Sequence, residues 1–140
     1  MKILSIDTTS SVCSVSLLEN DQVMDENILD NGKTHSENMM PLLDELLKRN
    51  NVDISEIEFI SVCVGPGSFT GIRIGISTIK AFAEVLNIKI ASVTSLETLS
   101  RNETAEDGQV IVPLIDARNN QVYFAVFNKD ELLYLIEYDG

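Results

Sequence analysis

One pattern occurs twice in this sequence, near its start and near its end: strand, Ile-Asp, short turn, strand, turn, strand. ILSIDTTSSVCSVSLLENDQVMDENILD, beginning at Ile3, matches IVPLIDARNNQVYFAVFNKDELLYLIEYD, beginning at Ile111. Ile6-Asp7 falls against Ile115-Asp116, and the later strands stay in step after a one-residue shift. The spacing is far too long for a solenoid, whose repeats run to about 20 to 50 residues. The chain therefore reads as a duplicated lobe whose second copy stops after its opening meander.

Between the copies the periodicity completes the first lobe. Residues 2–8, 12–18 and 22–30 read as three strands joined by polar turns at 9–11 and at Asn20-Asp21. Met39, Met40, Leu42, Leu43, Leu46 and Leu47 then recur at three- and four-residue spacing, which predicts an amphipathic helix over 34–50. Thr34 and Glu37 have the spacing of a capping box, while Pro41 requires either a kink or a regular start near Met40. EFISVCV is an apolar run with little alternation, as in a strand buried on both faces. A GPGS loop, a helix over 69–86, a strand over 87–93 and a short helix capped by Thr94 and Glu97 follow. The order β-β-β-α-β-α-β-α predicts a mixed sheet covered by helices. RNETAEDGQ is polar and aperiodic, so the organisation reads as a lobe over 1–102, a linker over 103–109 and the start of a second lobe over 110–140.

Charge excludes one class of function. With a formal net charge of −12 and ten basic residues, the chain lacks the Lys and Arg that hold nucleic-acid phosphates, so tight binding of RNA by this chain alone is not expected. The acidity fits a soluble, self-repelling surface or a docking face for a basic partner. No apolar run approaches the roughly 20 residues that span a bilayer, and the first residues lack the pattern of a signal peptide. Cys13 and Cys63 lie in separate apolar runs, fitting small core residues in a reducing cytoplasm.

Chemistry has few residues to work with. His35 is the only histidine and the position four residues on is Met39, so neither a helical His pair for a metal nor a histidine-dependent nucleophile is expected. Gly65, Gly67, Gly71 and Gly75 follow a strand, yet they match neither a Walker loop nor a dinucleotide fingerprint. Their spacing fits structural glycines that let a neighbouring backbone approach. The polar positions Arg73, Ser77, Lys80 and Glu84 form a narrow stripe, leaving roughly two thirds of that helix apolar or small. The two apolar helices can pack within one chain or against another. Met40, Leu43, Leu47, Ile72, Ile76, Ile79 and Ala83 are the candidate partner interface.

The duplicated lobe with its Ile-Asp-Thr turn resembles the actin, Hsp70 and sugar-kinase superfamily. Within it, ILSIDTTSSVCSVSL, HSENMMPLLDELL, VGPGSFTGIRIGISTIKAFA, VTSLETL and IDARNNQVYFAVF resemble the TsaB family through essentially the whole chain. The resemblance implies an α/β lobe with a mixed sheet, plus the three-stranded meander of a second lobe. It also implies Asp7, Thr8, Thr9 and Asp116 at the two phosphate-facing hairpins of that superfamily. It implies a non-catalytic subunit with no cofactor of its own, which dimerises in isolation, binds and activates TsaD, and works with the ATPase TsaE. The tRNA adenosine that receives a threonylcarbamoyl group is then met only through the complex. TsaB-like chains complete the second lobe, whereas this sequence ends at Gly140. Two other readings remain: a nucleotide-binding or phosphotransfer enzyme using Asp7 and Asp116, and a structural homodimer.

Overall fold

A computed structural model describes residues 1–30, 34–128 and 131–136. The first half forms a five-stranded sheet in the order β3-β2-β1-β4-β5. β1 (Lys2–Asp7), β2 (Cys13–Glu19) and β3 (Gln22–Leu29) make an antiparallel meander. β4 (Phe59–Cys63) and β5 (Lys89–Val93) add on in parallel to β1. Parallel neighbours require a crossover, and α1 (His35–Arg49) and α2 (Phe69–Leu86) supply the two. A short α3 (Ser95–Ser100) leads to a second sheet of β6 (Leu114–Arg118), β7 (Gln121–Asn128) and β8 (Glu131–Ile136). The internal repeat is thus real in three dimensions: Ile6 pairs with Val15 in the first meander and Ile115 with Tyr123 in the second. Positions 137–140 of the second copy lie outside the described residues.

Alternation decides which face is filled. Leu4, Ile6, Cys13, Val15 and Leu17 point to one side of the sheet, where Met39, Leu42, Leu43, Leu46 and Leu47 of α1 and Ile79 of α2 meet them in a single core. A smaller core joins Leu96 of α3 to Ala125 and Phe127 of β7. Burial raises the Cys13 thiol above its ordinary value, in keeping with its place in the larger core.

α1 starts at His35 and runs through Pro41, so regular helix does not wait for Met40. The Thr34 backbone N–H donates to the Glu37 carboxylate at 3.2 Å, satisfying one of the groups left over at the helix start. At the other end Arg49 ties the helix to β3, donating to both carboxylate oxygens of Asp25 at 2.8 and 2.9 Å and to Asn27 at 2.8 Å. These bonds from Arg49, with one from Asn50, hold the Asp25 carboxyl well below the usual carboxylate range. A lowered folded-state value stabilises the fold above the unfolded aspartate value and loses that contribution as pH falls. Arg49→Met is therefore expected to lower the melting temperature at pH 7, with the gap from wild type closing below about pH 4. Thermal scans of both proteins from pH 7 to pH 3 check this, and a gap that does not shrink contradicts it.

Candidate functional site

The turn after β1 is where the sequence offered a phosphate-facing hairpin, and here it is closed. Asp7 Oδ1 accepts the Thr9 backbone N–H at 2.8 Å and the Thr9 hydroxyl at 2.7 Å, a local turn that fixes the hairpin. Thr8, 1% exposed, donates its hydroxyl to the Gly71 carbonyl at 2.7 Å. The Thr9 carbonyl accepts the Ser68 backbone N–H at 2.6 Å, and the Ser68 side chain caps α2 by accepting from the Gly71 N–H. Ser95, at the start of α3, donates to the Thr9 hydroxyl at 3.3 Å and lies 3.2 Å from Cys63 Sγ. Its own N–H donates to the Gly65 carbonyl at 2.8 Å. Hairpin, glycine loop and α3 are one hydrogen-bonded unit.

The glycine spacing follows from this closure. A side chain on Gly67 would strike the Thr9 carbonyl oxygen, one on Gly71 the Thr8 carbonyl oxygen, and one on Gly75 would reach 2.5 Å from the Thr8 hydroxyl. The glycines face the hairpin that the sequence offered as a phosphate site. The Thr8 hydroxyl donates to α2, while the Thr9 hydroxyl donates to Asp7 and accepts from Ser95 of α3. Gly65 is separate: its φ of 97° is the left-handed conformation that glycine tolerates. His35 joins the same unit, its Nε2 donating to the Ser10 carbonyl at 2.7 Å and its ring lying over Gly71.

In the second copy Asp116 Oδ1 accepts the Arg118 backbone N–H at 2.7 Å, the counterpart of the Asp7 turn. Asp116 is exposed. A hollow of about 280 Å³ lies between the glycine loop and the second sheet, lined by Val64, Pro66, Leu96, Phe127, Leu132 and Leu135 among others. Among the described residues no three His, Cys, Asp or Glu side chains gather as a metal site would require.

The helix surface divides differently from the sequence reading. Leu43, Leu47 and Ile79 are buried in the core and are not available to a partner. The apolar arc of α1 has to cover β2 and β3 as well as meet α2, and this consumes more of it than one strand would. Ile76 is half-buried and packs against the same core, and Ile72 rests near Gly65. Ala83 is half-buried. Met40 stays open at 43% exposure, and two residues outside the expected set are more open still, Phe69 at 69% and Val85 at 81%. Phe69 had a legible signal: it stands four residues before Arg73, and the guanidinium lies 4.3 Å from its ring centre. From Phe59 to Leu96 the chain carries three basic residues, Arg73, Lys80 and Lys89, and one acidic, Glu84, so this stretch departs from the acidity of the rest.

Fold and closed hairpin define a class: a lobe and a part-lobe of the actin-like ATPase fold. A ROK family protein from Streptococcus pneumoniae TIGR4 shares that fold at a TM-score of 0.51 and 18% identity, over 94% of this chain and 47% of that one. Residues 27–133 match the family described as TsaD: tRNA N6-adenosine threonylcarbamoyltransferase, and the chain belongs to that family, as one of its TsaB members. The tRNA threonylcarbamoyladenosine biosynthesis protein TsaB of Bacillus subtilis (strain 168) is 41% identical over 91% of this chain and 55% of its own length. The TsaB of Escherichia coli (strain K12) is 31% identical over 94% of this chain and 57% of its own. YeaZ from Pseudomonas aeruginosa superposes at a TM-score of 0.82 with 27% identity, over 97% of this chain and 65% of that one. The chain spans about half the length of the curated relatives it matches. Among the described residues no helix is long and apolar enough to cross a membrane.

Proposed function

We propose that this chain is a non-catalytic docking and activating subunit for a TsaD-type transferase in the formation of N6-threonylcarbamoyladenosine on tRNA. It forms a homodimer when TsaD is absent, works beside the ATPase TsaE, and meets tRNA only through the complex. The observation that carries this reading is the closed hairpin: the Thr8 hydroxyl is bonded to α2, the Thr9 hydroxyl to Asp7 and to Ser95 of α3, and the Thr9 backbone N–H to Asp7. Among the exposed apolar side chains Met40, Phe69 and Val85 belong to the two helices, beside others on β3 and the second sheet. A transfer assay with TsaD, tRNA and the threonylcarbamoyl donor tests it. The chain alone transfers nothing, its addition raises the TsaD rate, and transfer by the chain without TsaD overturns the reading.

The paired aspartate turns at Asp7 and Asp116 are what favour the nucleotide-enzyme alternative. Calorimetry with ATP and magnesium separates the two. The expected result is no saturable heat up to about 1 mM nucleotide, an affinity no better than about −4 kcal/mol. Micromolar binding that Asp7→Ala abolishes would favour the enzyme.

A further inference from the structure

Ser95 and Leu96, neighbours at the start of α3, are both buried but serve different parts of the molecule. Leu96 packs against Ala125 and Phe127 of β7, with Ile111, Ile115 and Tyr123 half-buried around them. An apolar contact this small between two parts of one chain ordinarily leaves them free to move against each other. Ser95 belongs to the other side. Its hydroxyl donates to the Thr9 hydroxyl at 3.3 Å, its oxygen lies 3.2 Å from Cys63 Sγ, and its N–H holds the Gly65 carbonyl at 2.8 Å. α3 therefore ties the second sheet to the first lobe, and its polar side has to supply what the apolar side lacks.

The protons in this cluster can run only one way. A carboxylate only accepts, so the Thr9 hydroxyl gives its one proton to Asp7 Oδ1 at 2.7 Å. It then accepts from Ser95, whose own proton is thereby committed. Cys63 is left to donate, its S–H directed at the Ser95 oxygen. Cys63, Ser95 and Thr9 are 3%, 7% and 7% exposed, so water does not compete for these bonds. We infer that Asp7, acting through Thr9 and Ser95, is a positioning residue that locks α3, and with it the second sheet, onto the first lobe. The turn that the sequence offered to a phosphate is the accepting end of a one-way hydrogen-bond chain from Cys63. The second copy has no equivalent lock: Ala117 and Arg118 stand where Thr8 and Thr9 do, with no hydroxyl to carry such a chain onward.

Hydrogen exchange and infrared spectra of the full chain test the lock and its direction. Thr9→Val keeps the size of the side chain and the backbone bond to Asp7 but cuts the chain in the middle, and Thr9→Ser restores the hydroxyl. Exchange of the β7 amides is expected to rise about tenfold in Thr9→Val and to stay within about threefold of wild type in Thr9→Ser. The amides of β1 and β2 should hold within about threefold in both. A rise shared equally by β1 and β2 would mean general destabilisation, and an unchanged β7 would mean that the apolar contact alone holds α3. Either result overturns the lock. Direction is read from the S–H stretch, in a spectral window that other protein groups leave clear, with Cys13→Ala leaving Cys63 as the one thiol. The Cys63 band is expected at the lowered frequency of a donor, and at the free-thiol frequency once Ser95→Ala is added. A free-thiol frequency while Ser95 is present would show that the chain does not begin at Cys63 and overturns it.

Discussion

Gly71→Ala is expected to destabilise the chain by about 3 to 5 kcal/mol, enough to leave it largely unfolded at physiological temperature. Gly71 sits inside α2, where alanine is the better helix former, so on propensity alone the substitution would stabilise by about 1 kcal/mol. The space decides the sign. A methyl group there would overlap the Thr8 carbonyl oxygen and lie 2.9 Å from the His35 ring, and the carbonyl belongs to the backbone at the end of β1 and cannot rotate away. Relief requires α2 to lift off the hairpin. That would break the bond from the Thr8 hydroxyl to the Gly71 carbonyl and the bond from Ser68 to Thr9. Gly67→Ala meets the Thr9 carbonyl in the same way, whereas Gly108→Ala meets nothing within 4 Å and suffers only from its φ of 84°, about 1 kcal/mol. Urea unfolding of the three variants checks the ranking. A Gly71→Ala protein as stable as wild type would mean that the hairpin and α2 are not in contact.

The glycine spacing marked a close approach in the sequence, but what approaches is a turn some sixty residues earlier, joined to α2 only through the folded sheet. Local signals carried further. Both capping pairs, Thr34 with Glu37 and Thr94 with Glu97, stand where the spacing placed them, and Thr94 shows both halves of the box. The Ile-Asp repeat is matched down to the hydrogen bond, each aspartate accepting the backbone N–H two residues on. Of the two readings of Pro41, the start near Met40 is the one the helix does not take: it begins at His35 and includes Pro41, with Met39 and Leu42 in the core. The 3-10 turn at Ile54–Glu56, capped by Asp53, had no periodicity to reveal it. The division of α1 and α2 into core and surface was the least legible part. Periodicity gives the width of an apolar arc but not how many neighbours share it, so Leu43, Leu47 and Ile79 went to the core while Phe69 and Val85 stayed outside.

The second large effect is expected at that outer surface. Phe69→Glu combined with Met40→Glu should weaken association through α1 and α2 by about a hundredfold or more. An aromatic anchor at the centre of an interface contributes about 2 kcal/mol or more, and each buried unpaired carboxylate adds its own desolvation cost. Both side chains are exposed in the single chain, at 69% and 43%, so the melting temperature should stay within a few degrees of wild type. Ile76 would be a poor choice for this purpose, because it supports the core and a charge there confounds folding with docking. The central claim is that these two helices exist to hold a catalytic partner, and a sedimentation titration of the chain against TsaD tests it most directly. A defined complex that forms with wild type and is lost with Phe69→Glu/Met40→Glu, both proteins remaining folded, is the predicted result. Wild type that sediments apart from TsaD at every ratio, or a double variant that binds TsaD as tightly as wild type, would contradict it.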